Sequence, residues 1–153
     1  MFRKYSFRHV GSNLFTILVL FLVFTSTAPA AERYAVTARI ANVRSGPGLN
    51  HEIMFEAEKY YPVELLNKEG NWYQVADYES DIGWIHKSLI KKMFTVITIK
   101  SKCNIRTGPS LNDQIIFVAE RGVPFKVITR KGKWVRVQHS EGHEGWIHQS
   151  LVW

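Results

Sequence analysis

Residues Asn42–Asn50 read NVRSGPGLN, and residues Asn104–Asn112 read NIRTGPSLN. A nine-residue phrase thus recurs with three conservative changes. Asn-Val-Arg alternates polar, apolar, polar, so in an extended chain Val43 and Ile105 point to one side and their neighbours to the other. Gly46 and Gly108 admit backbone angles closed to other residues, and Pro47 and Pro109 stiffen the turn that follows. The phrase ends a strand and opens a loop.

Around it lies a longer match. Arg44 and Arg106 are 62 residues apart, and so are Pro62 and Pro124, Gly70 and Gly132, Trp72 and Trp134, and Val75 and Val137. The tetrapeptide GWIH at Gly83–His86 returns at Gly145–His148, and Ser88-Leu89 returns as Ser150-Leu151. A constant offset is the mark of internal duplication.

Each copy reads as β structure. Val63-Glu64-Leu65, Phe125-Lys126-Val127, Tyr73-Gln74-Val75 and Val135-Arg136-Val137 alternate with period two. Turn signals at Ser45–Gly48, Glu69–Asn71 and Ser80-Asp81 separate these runs in the first copy. No segment after the N-terminal region keeps a helical period. The expected class is all-β: two tandem small barrels of short antiparallel strands. A domain of about 60 residues buries only ~60% of its unfolded surface. The connection Lys91-Lys92-Met93 is short, so the two units are expected to touch.

The order N-V-R-x-G-P, a Pro-led strand, G-x-W-x-x-V, then G-W-I-H-x-S-L resembles the bacterial Src-homology-3 (SH3) domain. The resemblance covers residues 34–91 and 94–153. It implies a strongly bent barrel of five or more antiparallel strands. It also implies a usually non-catalytic role, in which members bind cell-wall peptides or tether enzymes to peptidoglycan. Wall hydrolases that carry such domains hold their Cys and His in a separate domain, so no enzyme activity is expected of these two copies.

Residues 1–30 read as a secretory signal peptide. Arg3, Lys4 and Arg8 precede the apolar run Leu14–Phe24, and Ala28-Pro29-Ala30 forms a small-x-small cleavage pattern. The competing reading is an uncleaved anchor. The run is well short of the ~20 residues that span a bilayer. Export to the periplasm or cell surface is expected, with no stable membrane insertion after cleavage and no nucleic acid among the partners.

The formal charge of the whole chain is +7. Residues 31–91 hold seven Lys/Arg against nine Asp/Glu, a net of −2, and residues 92–153 hold ten against four, a net of +6. The second copy is the better candidate for an anionic partner. Thr129–Arg136 (TRKGKWVR) interleaves bases with a Trp, as a polyanion site or as a solvated hairpin tip.

The candidate ligand-binding residues are Arg44, Trp72, Trp84, Arg106, Trp134 and Trp146. Each Arg suits a bidentate contact to a carboxylate or a brace on the carbonyls of its own loop. Alternation puts Ile85 and Ile147 inward and places Trp72, Trp84, Trp134 and Trp146 on the opposite face with His86 and His148. There the rings either line a groove for a peptide or sugar, or cap a core that curls round them. His86 and His148 recur singly, and His139 and His143 flank a turn absent from the first copy, so neither metal nor cofactor is expected. Cys103, the single cysteine, takes the small-residue place of Ala41 and is expected to be a buried thiol. The expected partner is peptidoglycan or a cell-envelope protein, and the rival role is an adaptor for extended peptide segments.

The targeting reading predicts a mature N-terminus at Ala31. Intact-mass measurement of the exported protein checks it, and a full-length chain retained in the inner membrane would mark the segment as an anchor.

Overall fold

The computed structural model describes residues 32–153; residues 1–30, for which a signal peptide is expected, lie outside them. Two antiparallel sheets follow one another along the chain. The first contains β1 (Glu32–Val36), β2 (Ile40–Arg44), β3 (Ile53–Glu58), β4 (Pro62–Glu69), β5 (Trp72–Ala76), β6 (Ile82–His86) and β7 (Ile90–Lys91). Their spatial order is β3-β2-β6-β5-β4-β1-β7. The second contains β8 (Thr95–Ile97), β9 (Cys103–Arg106), β10 (Ile115–Ala119), β11 (Pro124–Lys131), β12 (Trp134–Gln138) and β13 (Glu144–His148), in the order β10-β9-β13-β12-β11-β8. A single 3-10 turn follows each GWIH strand, at Lys87–Leu89 and Gln149–Leu151. Among the described residues there is no α-helix, so none is long and apolar enough to cross a membrane.

The sequence explains the hairpins. Gly70 and Gly132 each take φ +56° at the tip between a long strand and the Trp-led strand after it. That left-handed angle suits a residue without Cβ. The register slips between Leu65 and Asn67 in β4, and between Val127 and Thr129 in β11. Such bulges bend and twist a strand, which lets a short sheet curl over its own core.

Alternation then sorts the side chains. Tyr73 pairs with Ile85 and Val75 with Gly83 on the inner face, while Trp72 pairs with His86 and Gln74 with Trp84 on the outer one. The second sheet repeats this with Val135–Ile147, Val137–Gly145, Trp134–His148 and Arg136–Trp146. Val43, Val63 and Ile85 are fully buried in the first core, and Ile105, Phe125 and Ile147 in the second. Cys103 is fully buried too, with its thiol against the Lys100 carbonyl, and burial pushes its pKa up.

The cores differ at one corner. Asp77 is buried; it accepts from the Tyr61 hydroxyl at 2.9 Å and from the amides of Glu79 and Asp81 at 2.8 and 2.9 Å. Burial, then the Asp77 carboxylate, raise the Tyr61 pKa far above the phenol range. The equivalent residue in the second copy is His139, whose ring lies 5.6 Å from that of Phe125.

The two barrels touch. Arg121 donates to Glu79 at 2.7 Å and to the Ile99 carbonyl at 2.8 Å, and its guanidinium lies 5.5 Å from the Tyr78 ring. Arg33 lies over Trp153 at 3.9 Å, an exposed cation–π contact of about 0.5–1 kcal/mol.

The inward placement of the isoleucines predicts that Ile85→Ala or Ile147→Ala destabilises its own barrel by roughly 2–5 kcal/mol. Thermal melts of each variant check this, and unchanged melts would mean that these side chains are not in the cores.

Candidate functional site

The outer face carries one groove per barrel, in equivalent places. In the first, the loop opened by NVRSGPGLN stands opposite the β4–β5 hairpin tip, and Trp72, His86 and Leu49 line a groove of about 440 Å³ between them. In the second, Trp134, His148 and Leu111 line a groove of about 810 Å³, with Lys131 and Lys133 at its margin. The corresponding places in the first barrel are Glu69 and Asn71, so the second groove is the more basic.

Each Trp stands edge-on to its His. The ring centroids lie 5.4 Å apart for Trp72–His86 and 5.3 Å for Trp134–His148, with interplanar angles of 82° and 80°. The 3-10 turn sets the His. The Ser88 amide donates to His86 Nδ1 at 3.4 Å and the Ser88 hydroxyl lies 2.8 Å from it, with 3.3 and 2.7 Å at His148 and Ser150. An amide can only donate, so Nδ1 accepts and the neutral ring carries its proton on Nε2. Each groove therefore offers an aromatic wall and a ring N–H donor.

Opposite the Trp, each loop exposes one leucine: Leu49 is 79% exposed and Leu111 74%. A large apolar residue on a loop tip is informative when the duplication repeats it. Both lie inside the recurring phrase, and sequence reading passed over them. The recurrence of Leu beside Gly, Ser and Asn was the available signal.

The loops are held by their arginines. Arg44 Nη1 donates to the His51 carbonyl at 2.7 Å and the Leu49 carbonyl at 3.3 Å, and Arg106 Nη1 donates to the Asp113 carbonyl at 2.8 Å. Of the two roles open in the sequence, these bonds serve the brace. Arg44 also lines a small pocket of about 170 Å³ that adjoins the first groove beside Trp72 and Leu49.

Trp72 and Trp134 are half-buried and belong to neither core cluster. They wall the grooves and do not cap the cores. Trp84 and Trp146 lie on the same outer face, two residues before the His, where they pair with Gln74 and Arg136 and do not line the grooves.

A separate cluster forms at the β12–β13 turn. His139, Glu141 and His143 bring their ligand atoms within 4.8 Å of one another. Spacing alone did not reveal it, because the turn folds Glu141 back between the two rings.

The bacterial SH3 domain model matches residues 37–92 and 100–153. A putative N-acetylmuramoyl-L-alanine amidase of Bacillus subtilis, YrvJ, is 26% identical over 144 residues, covering 87% of this chain and 28% of the relative. A probable cell wall amidase of Staphylococcus epidermidis, LytH, is 46% identical over 52 residues, covering 33% of this chain and 18% of the relative. This chain thus spans under a third of the length of either amidase. The solved structure of NlpC2 from Trichomonas vaginalis aligns with a TM-score of 0.37 and 17% identity, over 83% of this chain and 49% of that one. With both repeats matched along most of their length, the chain belongs to the bacterial SH3 domain family, in two tandem copies.

Proposed function

We propose that the chain is a non-catalytic, exported binding protein whose two grooves hold cell-envelope material, most directly the stem peptide of peptidoglycan. The observation that carries this reading is the duplicated groove. Both copies keep the Trp wall, the oriented His and the exposed Leu, although the sequences around them have diverged. A half-buried indole beside an exposed leucine offers apolar area to a short ligand, and the His Nε2–H and the basic margin of the second groove suit carboxylates. The relatives described as cell wall amidases support the ligand class. The single thiol lies outside both grooves, buried and with a raised pKa, the opposite of an activated cysteine.

A second reading rests on a different surface. β10 is an edge strand that leaves Ile115, Ile116 and Val118 exposed. Such an edge can add an extended segment of a partner protein by β-pairing, as an adaptor would.

Replacing Trp72 and Trp134 together by Ala should abolish retention on purified wall sacculi. Each barrel should lose less than the ~3–5 kcal/mol that a core Trp contributes, because the rings lie outside the cores. Circular dichroism beside a sacculus pull-down checks both parts. A folded double variant that is fully retained would exclude the grooves.

A further inference from the structure

We propose that His139, Glu141 and His143 form a surface site for a borderline divalent cation of the Zn²⁺ type, present in the second barrel and not in the first. The geometry starts with the turn. The His139 amide donates to the His143 carbonyl at 2.8 Å, and the Gly142 amide donates to the His139 carbonyl at 2.9 Å. Gly142 takes φ +94°, which closes the turn without steric cost. The ends of the turn are thereby fixed, and both imidazoles fall on the same side as the Glu141 carboxylate.

Both rings approach one carboxylate oxygen. Nδ1 of His139 lies 3.7 Å from Glu141 Oε2, and Nδ1 of His143 lies 3.8 Å from it. Ligands bound at ~2.0–2.2 Å in a tetrahedron stand ~3.4 Å apart, so each His–Glu distance closes by a few tenths of an ångström, and the two imidazoles, within 4.8 Å of one another, close by up to about 1.4 Å through rotation of the exposed His143 ring. The set of two imidazoles and one carboxylate suits zinc and its first-row neighbours and not the hard, oxygen-seeking cations. The Glu141 amide reaches His139 Nδ1 at only 3.4 Å, a long contact that a bound cation replaces.

The rings are partly ordered before any ion arrives. His139 lies 5.6 Å from Phe125 and His143 lies 6.2 Å from Phe117, all four lining a cleft of about 380 Å³ that also includes Glu120. Three protein ligands leave a fourth tetrahedral position open towards solvent. That position admits water or an acidic group of a bound partner.

The first barrel is an internal control. Its equivalent turn carries Asp77, Glu79 and Asp81 and closes with the same backbone bonds, Asp77 to Asp81 at 3.1 Å and Ser80 to Asp77 at 3.1 Å. There Asp77 is buried and committed to three hydrogen bonds, and Glu79 is paired with Arg121. Those carboxylates are engaged in holding the fold together. In the second barrel the side chains of His143 and Glu141 are 70% and 72% exposed, and neither has a tie of that kind. The site departs from the expectation, drawn from residue spacing, that no metal is bound.

The full chain, purified without a histidine tag and stripped with chelator, is dialysed against Zn²⁺ alone. One bound ion per chain is expected. Glu141→Gln and His143→Ala alter exposed side chains, and each should weaken binding by at least about tenfold, the scale seen when even outer-shell partners are lost. As a measurement that needs no variant, Ni²⁺ should broaden NMR signals confined to residues 139–143 and their neighbours. No zinc above the dialysis blank, undiminished binding in both variants, or broadening centred on His86 or His148 would each overturn the site.

Discussion

Gly83 and Gly145 occupy places where a side chain does not fit. A Cβ on Gly83 would lie 2.4 Å from Val43 Cγ1, and one on Gly145 would lie 2.4 Å from Ile105 Cγ2. This contact presses the GWIH strand onto the strand of the recurring phrase and brings each sheet round on itself. Once it is made, the remaining orientations follow from the two-sidedness of a strand. Ile85 and Ile147 turn into the cores. Trp84, His86, Trp146 and His148 turn out, and the Trp that leads the neighbouring strand joins its His across the sheet. The groove is the outer consequence of the inner packing, which is why the Gly-Trp-Ile-His order recurs intact.

Duplication then allows divergence. The apolar framework is common to both barrels, because neither can lose much of a core this small and stay folded. The polar surroundings are free to change. Glu69 and Asn71 give way to Lys131 and Lys133 beside the groove, and a saturated buried Asp77 gives way to His139. The contacts of Arg121 with Glu79 and of Arg33 with Trp153 link the two units, which carry grooves of different charge.

Much of this was legible in the letters. Period-two alternation placed Val43, Ile85, Ile105 and Ile147 inside, and all four are fully buried. The choice between groove and core for Trp72 and Trp134 was not legible, because it depends on how far the sheet curls. The bulges at Leu65–Asn67 and Val127–Thr129 add to that curl, and alternation does not announce them. The arginines were ambiguous for a similar reason: the carbonyls they brace lie five to seven residues away, round a loop whose path the sequence leaves open. Leu49 and Leu111 were in plain view inside the repeated phrase, but only the fold shows that they face the Trp. The convergence of His139, Glu141 and His143 arises from the tight turn closed by the His139–His143 and Gly142–His139 backbone bonds, which a reading by ligand spacing does not capture.

The central claim is that the two Trp–His grooves are the binding surface. It is tested most directly by NMR of the tryptophan indole N–H signals, of which the five tryptophans give a small, assignable set. Soluble peptide-bearing fragments released from wall sacculi are titrated into the full chain. The account predicts saturable shifts that are largest at Trp72 and Trp134, with Trp153 unmoved. Indole signals that stay fixed while backbone signals shift along β10 would contradict it and move the binding surface to the sheet edge.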